Sequence, residues 1–240
     1  MDEYLIVGIP GPWKDRSALM RALVEGHNGR YLFAGMILLD VQEDEPVEME
    51  IYDPDPNLAR AFEIAGQGKL SADTLRKIQT HRQTVYLKFR IPDPTLRAKL
   101  LKFTRIFQQI GGYAVKVETS GVAHEFSRWL SWLESPELFD FYCALLTLAA
   151  GDDLYYSCGM HQFQLPDCCI SNREDVQHAA RTMNIFNMYQ LAESPQLESG
   201  HTFSISEDAP SYRLMLRKEF LFSDDDLFFN QYGRWVLERV

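Results

Sequence analysis

The chain has 240 residues, 46% of them hydrophobic and 24% charged, with a formal net charge of −10 at pH 7. Such a composition argues against wholesale disorder, and its sign argues against a direct nucleic-acid binder, whose docking surface must be basic where phosphates sit. The acidic, briefly apolar opening MDEYLIVGIPGP does not read as a secretory leader, and no apolar run reaches the roughly 20 residues that span a bilayer.

Tyr4–Ile9 reads as a strand ending in the turn Pro10-Gly11-Pro12, and the spacing of Ala18, Leu19, Ala22 and Leu23 predicts a helix capped by Asp15 or Ser17. Tyr31–Asp40 reads as one deeply buried strand, and Val47–Tyr52 as a half-exposed edge strand with Glu48 and Glu50 facing out. Helices follow over Asn57–Ala65 and Ser71–Thr80, then an alternating strand Thr84–Ile91 with Lys88 and Arg90 on its wet face. Thr95–Ile110 is an amphipathic helix through Leu96, Leu100, Phe103, Phe107 and Ile110, closed by Gly111-Gly112, and Tyr113–Glu118 returns as a strand. In the second half, helices are expected over His124–Leu133 and Pro136–Ala150. Strands are expected near Leu154–Cys158 and Gln162–Leu165, and a long helix over Asn172–Ala192 with Val176, Ala180, Met183, Asn187 and Leu191 along one stripe. Strands near His201–Ile205, Tyr212–Arg217 and Trp235–Leu237 finish the chain. The fold class is therefore α+β: mixed, largely antiparallel sheets flanked by helices, with a βαββαβ arrangement as one way to join each half. One compact domain over 1–240 is expected, with 1–120 and 121–240 as its related halves, divided at the turn Ser120-Gly121.

No catalytic, cofactor or metal constellation stands out. The loop Gly8–Ser17 follows a strand and precedes a helix, but lacks the Gly-Lys-Ser string of a phosphate loop and reads as a rigid turn with Trp13 packed beneath it. Cys158, His161, Cys168 and Cys169 offer soft ligands, yet adjacent cysteines rarely reach one ion, so buried free thiols of a reducing compartment are the expectation. Ser199-Gly200-His201-Thr202 reads as a turn, and Asp224-Asp225-Asp226 as a solvated acidic turn without the spacing of a calcium loop.

Charge order is more informative. Between Asp40 and Asp55 lie Asp40, Glu43, Asp44, Glu45, Glu48, Glu50, Asp53 and Asp55 with no Lys or Arg, whereas Arg76–Arg105 holds nine basic residues against Asp93. Two readings stay open: two faces that neutralise each other, or an acidic ridge, joined by Tyr52, that enters a basic groove on a partner. Trp129 and Trp132 are further candidate aromatic anchors.

The stretches YLIVGIPGPWKDRSALMRAL, YLFAGMILLD, ESPQLESGHTFSISEDAPSYRLML and FFNQYGRWVL resemble a bacterial family of uncharacterised domains, often small cytoplasmic proteins. Within it they resemble immunity proteins paired with type VI secretion effectors, DNase toxins of the HNH/GHH class. The resemblance implies a cytoplasmic, non-enzymatic inhibitor whose partner is a basic nuclease effector, and it carries no catalytic residues. The alternatives are a hydrolase-like enzyme using Cys158, His161 and Asp167, or an effector-loading adaptor.

Overall fold

A computed structural model describes residues 3–218, 222–223, 226 and 229–240. The chain is α+β and divides into two units, 1–144 and 145–240. The boundary differs from the expected Ser120-Gly121, because that turn merely joins two neighbouring strands of the first sheet.

The first unit holds β1 (Glu3–Gly11), α1 (Arg16–Gly26), β2 (Tyr31–Ala34), β3 (Ile37–Asp40), β4 (Glu45–Tyr52), α2 (Leu58–Gly66), α3 (Ala72–Gln79) and β5 (Gln83–Ile91). It continues with α4 (Leu96–Gln109), β6 (Ala114–Val117), β7 (Val122–Glu125), α5 (Phe126–Glu134) and most of α6 (Leu138–Leu145). Its sheet runs β2-β3-β4-β5-β1-β6-β7, with every neighbouring pair antiparallel. The inner strands β4-β5-β1-β6, with α1 and α4 as the two crossovers, form the expected βαββαβ pattern, widened by the β2–β3 hairpin and by β7.

Alternation along the strands sends Leu5, Val7 and Ile9 to one face with Val85, Leu87, Phe89, Val47 and Met49. That face carries α1, α4 and α5. Phe103 of α4 lies against Phe89, with ring centroids 6.4 Å apart, and Trp129 of α5 donates from Nε1 to Thr104 Oγ1 at 2.8 Å. Trp13 packs as expected, edge-on to Phe107, and donates to the Ile110 carbonyl at 3.0 Å. The opposite face is covered at its β6–β7 end by α2 and α3, through Leu58, Phe62 and Ile78 against Ala114 and Ala123.

Four expectations are corrected in this unit. Tyr31–Asp40 is not one buried strand but a hairpin, turning at Gly35 with φ +63° and leaving Leu32, Met36 and Ile37 exposed. β4 is not an edge strand, since β3 and β5 flank it. The segment His124–Leu133 begins as strand β7, and Trp129 is fully buried core instead of a surface anchor.

The second unit contains β8 (Thr147–Ala150), β9 (Leu154–Cys158), a 3₁₀ turn (Met160–Phe163), β10 (Asp167–Ser171), α7 (Val176–Glu193), β11 (Thr202–Phe203), β12 (Tyr212–Arg217) and β13 (Arg234–Arg239). The sheet order is β11-β12-β13-β10-β9-β8, with β10 and β13 parallel and the other pairs antiparallel. It is not a second βαββαβ unit: a β8-β9-β10 meander leads into one crossover helix. The expected strand at Gln162–Leu165 is the 3₁₀ turn, and the expected helix Pro136–Ala150 stops at Leu145 and gives way to β8. α7 buries Ala179, Met183 and Phe186 against Cys168, Tyr212, Leu214, Trp235 and Leu237, while Val176 of the anticipated stripe is exposed.

Phe186 touches Phe203 and Trp235 edge-on at 5.0 and 6.4 Å. Phe186→Ala is expected to cost about 3–5 kcal/mol in urea unfolding, through lost transfer energy and a cavity. Amide exchange should locate the loss of protection in β10, β12 and β13.

Candidate functional site

The nine residues predicted as a partner-binding ridge do not form one ridge. Period-two alternation divides β3 and β4 between the two faces of the sheet, so Asp40 and Glu45 turn towards α4 whereas Glu48, Glu50 and Tyr52 turn away from it. Asp40 is wholly buried. Its Oδ1 accepts from Arg30 Nε at 2.9 Å, and its Oδ2 from Arg30 Nη2 at 2.6 Å and Lys102 Nζ at 3.0 Å. Hydrogen bonding by Arg30, then Lys102, holds the Asp40 carboxyl far below the usual carboxylate range against the opposing cost of burial. Glu43 pairs with Lys102 at 2.6 Å and Arg30 at 2.7 Å, and Glu45 with Lys102 at 2.5 Å and Lys99 at 3.8 Å. Burial opposes the charge of Lys102, yet its bonds to Glu43, Glu45 and Asp40 raise its pKa overall. Asp44, Asp53 and Asp55 are exposed, and the Asp55 amide donates to Nε2 of buried His81 at 3.1 Å. The basic run Arg76–Arg105 thus supplies internal partners for this acidic segment.

The face turned away from α4 is a ladder of charged and aromatic side chains. Cross-strand neighbours there are Glu48, Lys88 and Ile6 in one row, and Glu50, Tyr86, Gly8 and Lys116 in the next. Lys88 binds Glu50, Tyr52 donates to Glu50 at 2.9 Å, Tyr4 donates to Glu48 at 3.1 Å, and Lys116 binds Glu118. Lys88, then Tyr52, lowers the Glu50 pKa. Tyr52 is 54% exposed and meets the Tyr86 ring edge-on at 5.2 Å. Burial, then the charges of Glu118 and Asp55, pushes the Tyr86 phenol up to about 12. Gly8, Tyr86 and Glu118 were missed as site residues. Gly8 and Tyr86 are register partners on β1 and β5, Glu118 follows β6 in a turn, and only the folded sheet brings the three together.

In the second unit, Cys168 and Cys169 point to opposite faces of β10 by alternation, so they cannot share an ion. No group of three His, Cys, Asp or Glu side chains able to hold a metal occurs among the described residues. Burial pushes the thiols of Cys158 and Cys168 well up and that of Cys169 to about 11, which disfavours the thiolate a nucleophile needs. Asp167 is buried, accepts from Ser157 Oγ at 2.9 Å, the Met160 amide at 3.2 Å and Asn230 Nδ2 at 2.6 Å, and is pushed up by burial to about 6. Ser199 Oγ accepts from the Leu216 amide at 3.0 Å in the expected turn. Asp224 and Asp225 lie outside the described residues.

No protein-family model, no characterised protein and no solved structure matches this chain. No helix among the described residues is long and apolar enough to cross a membrane.

The two buried carboxylates give opposite pH dependences. Asp40 binds its proton more weakly folded than unfolded, so its contribution is present above about pH 4 and is lost as the pH falls further. Asp167 binds its proton more tightly folded, so its contribution grows as the pH falls from 7 through about 6 towards 4. Urea unfolding of Asp40→Asn and Asp167→Asn between pH 3 and 7 should flatten the acid limb and the near-neutral limb respectively. Lys102→Met, which leaves Asp40 with one cation, is expected to cost about 3 kcal/mol at pH 7.

Proposed function

We propose that the chain is an immunity protein that binds and neutralises a bacterial nuclease toxin delivered by type VI secretion, and acts without catalysis in the cytoplasm of the producing cell. The observation that carries this reading is the face of the first sheet turned away from α4, where Tyr4, Tyr52 and Tyr86 interleave with Glu48, Glu50 and Glu118 beside the exposed Asp53 and Asp55. Tyrosines supply rigid contact area, and the exposed Asp53 and Asp55 supply acceptors for the Lys and Arg side chains with which a nuclease holds phosphates. The net charge of −10 favours encounter with a basic partner and keeps the inhibitor off DNA. The sequence resemblance supports the nuclease class, and the raised thiol pKa values of Cys158, Cys168 and Cys169 weigh against the hydrolase alternative.

The test is co-expression with the product of the adjoining gene, which this reading requires to be a nuclease. Cells should survive only with this chain present, and the pair should co-elute from a sizing column at 0.5 M NaCl. Cell death despite soluble expression of the chain, or a complex that forms only at very low salt, would overturn the reading. Within a confirmed complex, Tyr52→Ala should raise the dissociation rate at least tenfold, as expected for an aromatic anchor worth about 1.4 kcal/mol or more.

A further inference from the structure

The β2–β3 hairpin ends the first sheet, with β2 at its edge. The Arg30 carbonyl accepts from the Val41 amide at 3.0 Å, and Ala34 opposite Ile37 closes the two-residue turn. By the alternation of an antiparallel ladder, Arg30, Leu32 and Ala34 turn their backbone groups inward, and Tyr31 and Phe33 turn theirs to the free edge. Among the described residues nothing pairs with those outward amides and carbonyls. The strand YLFA also carries no charge or proline to turn another strand away.

Both flanks of this edge are apolar. Arg16 of α1 lies over the Phe33 ring, 4.4 Å from its centroid, and His27 meets the Tyr31 ring at 5.1 Å, so α1 runs along the strand. Met20 and Val24 lie between those contacts at helical spacing and are exposed. On the other face of the sheet Leu32 and Ile37 are exposed, with Met36 at the turn and Val41 just beyond the hairpin. These six are nearly half of the thirteen exposed large hydrophobic side chains among the described residues, so apolar surface is concentrated at one edge. They leave several hundred Å² open, and twice that area, with both strand edges, is of the order of the roughly 1,000 Å² a specific interface needs.

We infer that β2 pairs antiparallel with β2 of a second copy of this chain, joining two seven-stranded sheets into one across a twofold axis at Leu32. In that register Tyr31 of each copy exchanges both backbone hydrogen bonds with Phe33 of the other, so all four outward groups are used. Leu32 then faces its counterpart in the closer, non-hydrogen-bonded position, and both α1 helices lie on one side of the joined sheet. Charge favours this occupant over a basic nuclease. The strand carries no carboxylate, and α1 beside it sets Arg16 and Arg21 against Glu25, so a basic surface has little to hold there. The same register sets Phe33, under Arg16, opposite Tyr31, which lies beside Arg30 and its partner Glu43. Arg16 of one copy thereby approaches the exposed Glu43 of the other. The net charge of −10 on each copy opposes approach only as a field screened over about 8 Å at physiological salt. Nothing in this pairing requires that the chain also bind a toxin.

Sedimentation equilibrium of the full chain between 1 and 100 µM in 0.15 M NaCl should reach twice the 27.8 kDa of one chain. Leu32→Lys sets two ammonium groups face to face on the axis and should weaken self-association at least tenfold, with the circular dichroism spectrum unchanged. Ile64→Lys, at an exposed apolar site on α2, should leave the dimer as it is. Should Leu32→Lys fail to fold, Leu32→Cys takes its place. Mild oxidation should then link two copies through position 32, whereas Met36→Cys, more exposed but off the axis, should not link. A single-chain mass throughout the range, a dimer unaffected by Leu32→Lys, or equal linking at positions 32 and 36 would each overturn the pairing. So would exchange protection of the Tyr31 and Phe33 amides that arises only when the proposed toxin is added, which would give the edge to a strand of the toxin. The immunity reading is tested apart from all of these, by protection in co-expression.

Discussion

Asp40 ends β3 with its carboxylate turned to the helix side of the first sheet and closed off from solvent, a position in which a charge must be matched or given up. The match comes from two directions. Arg30 immediately precedes β2, so its bond to Asp40 closes the base of the β2–β3 hairpin, and Lys102 comes from the middle of α4. One carboxylate therefore fixes the outer hairpin and docks the helix over it. Glu43 and Glu45 complete the coordination of Lys102 nearer to solvent, where each bond contributes less. The second unit meets the same problem differently: Asp167 is surrounded by the neutral donors of Ser157, Met160 and Asn230, and burial there outweighs hydrogen bonding, so its carboxyl is raised. Matched by cations, a buried carboxylate is lost to acid. Matched by dipoles, it is helped by acid.

The elements that could be read from the sequence are those with one buried face and clear punctuation. α4 shows its apolar stripe and stops at Gly111-Gly112, β5 alternates, and β12 occupies the expected Tyr212–Arg217. Misreadings arose where tertiary context replaced local pattern. Gly35-Met36 makes a two-residue turn inside an apolar run, so YLFAGMILLD looks continuous until β3 folds back. α7 is rotated from its anticipated stripe because its buried face includes Thr182 and Gln190, polar residues that hydropathy assigns to water. Gln190 spends its amide on the Pro166 carbonyl and Asn187, which is visible only after folding.

The acidic run Asp40–Asp55 and the basic run Arg76–Arg105 were both plain in the sequence, but their relation was not. Which carboxylate meets which cation is set by strand register: β4 beside β5 places Glu48 opposite Lys88 and Glu50 opposite Tyr86, and the ion pair forms diagonally between Glu50 and Lys88. A shift of one residue would turn the whole ladder to the other face. The meeting of Gly8, Tyr86 and Glu118 was still less legible, since they come from β1, β5 and the turn after β6, far apart in the chain, and a glycine in an apolar strand does not announce what lies above it.

That internal matching changes what the net charge can do. A ladder whose carboxylates mostly hold their own lysines presents little bare charge at close range, so the −10 total acts chiefly at a distance, as a screened field that would draw in a basic partner of the kind proposed. Discrimination at contact must then come from groups the fold leaves unmatched. On this face the described groups of that kind include Glu118 Oε1, held over Gly8, and Thr84 Oγ1, also shielded and without a partner, one strand across from Pro10. Both atoms are closed to solvent, so a partner reaches them only if the free chain rearranges, whereas one that merely carries positive charge must compete with Lys88 and Lys116 for oxygens already taken.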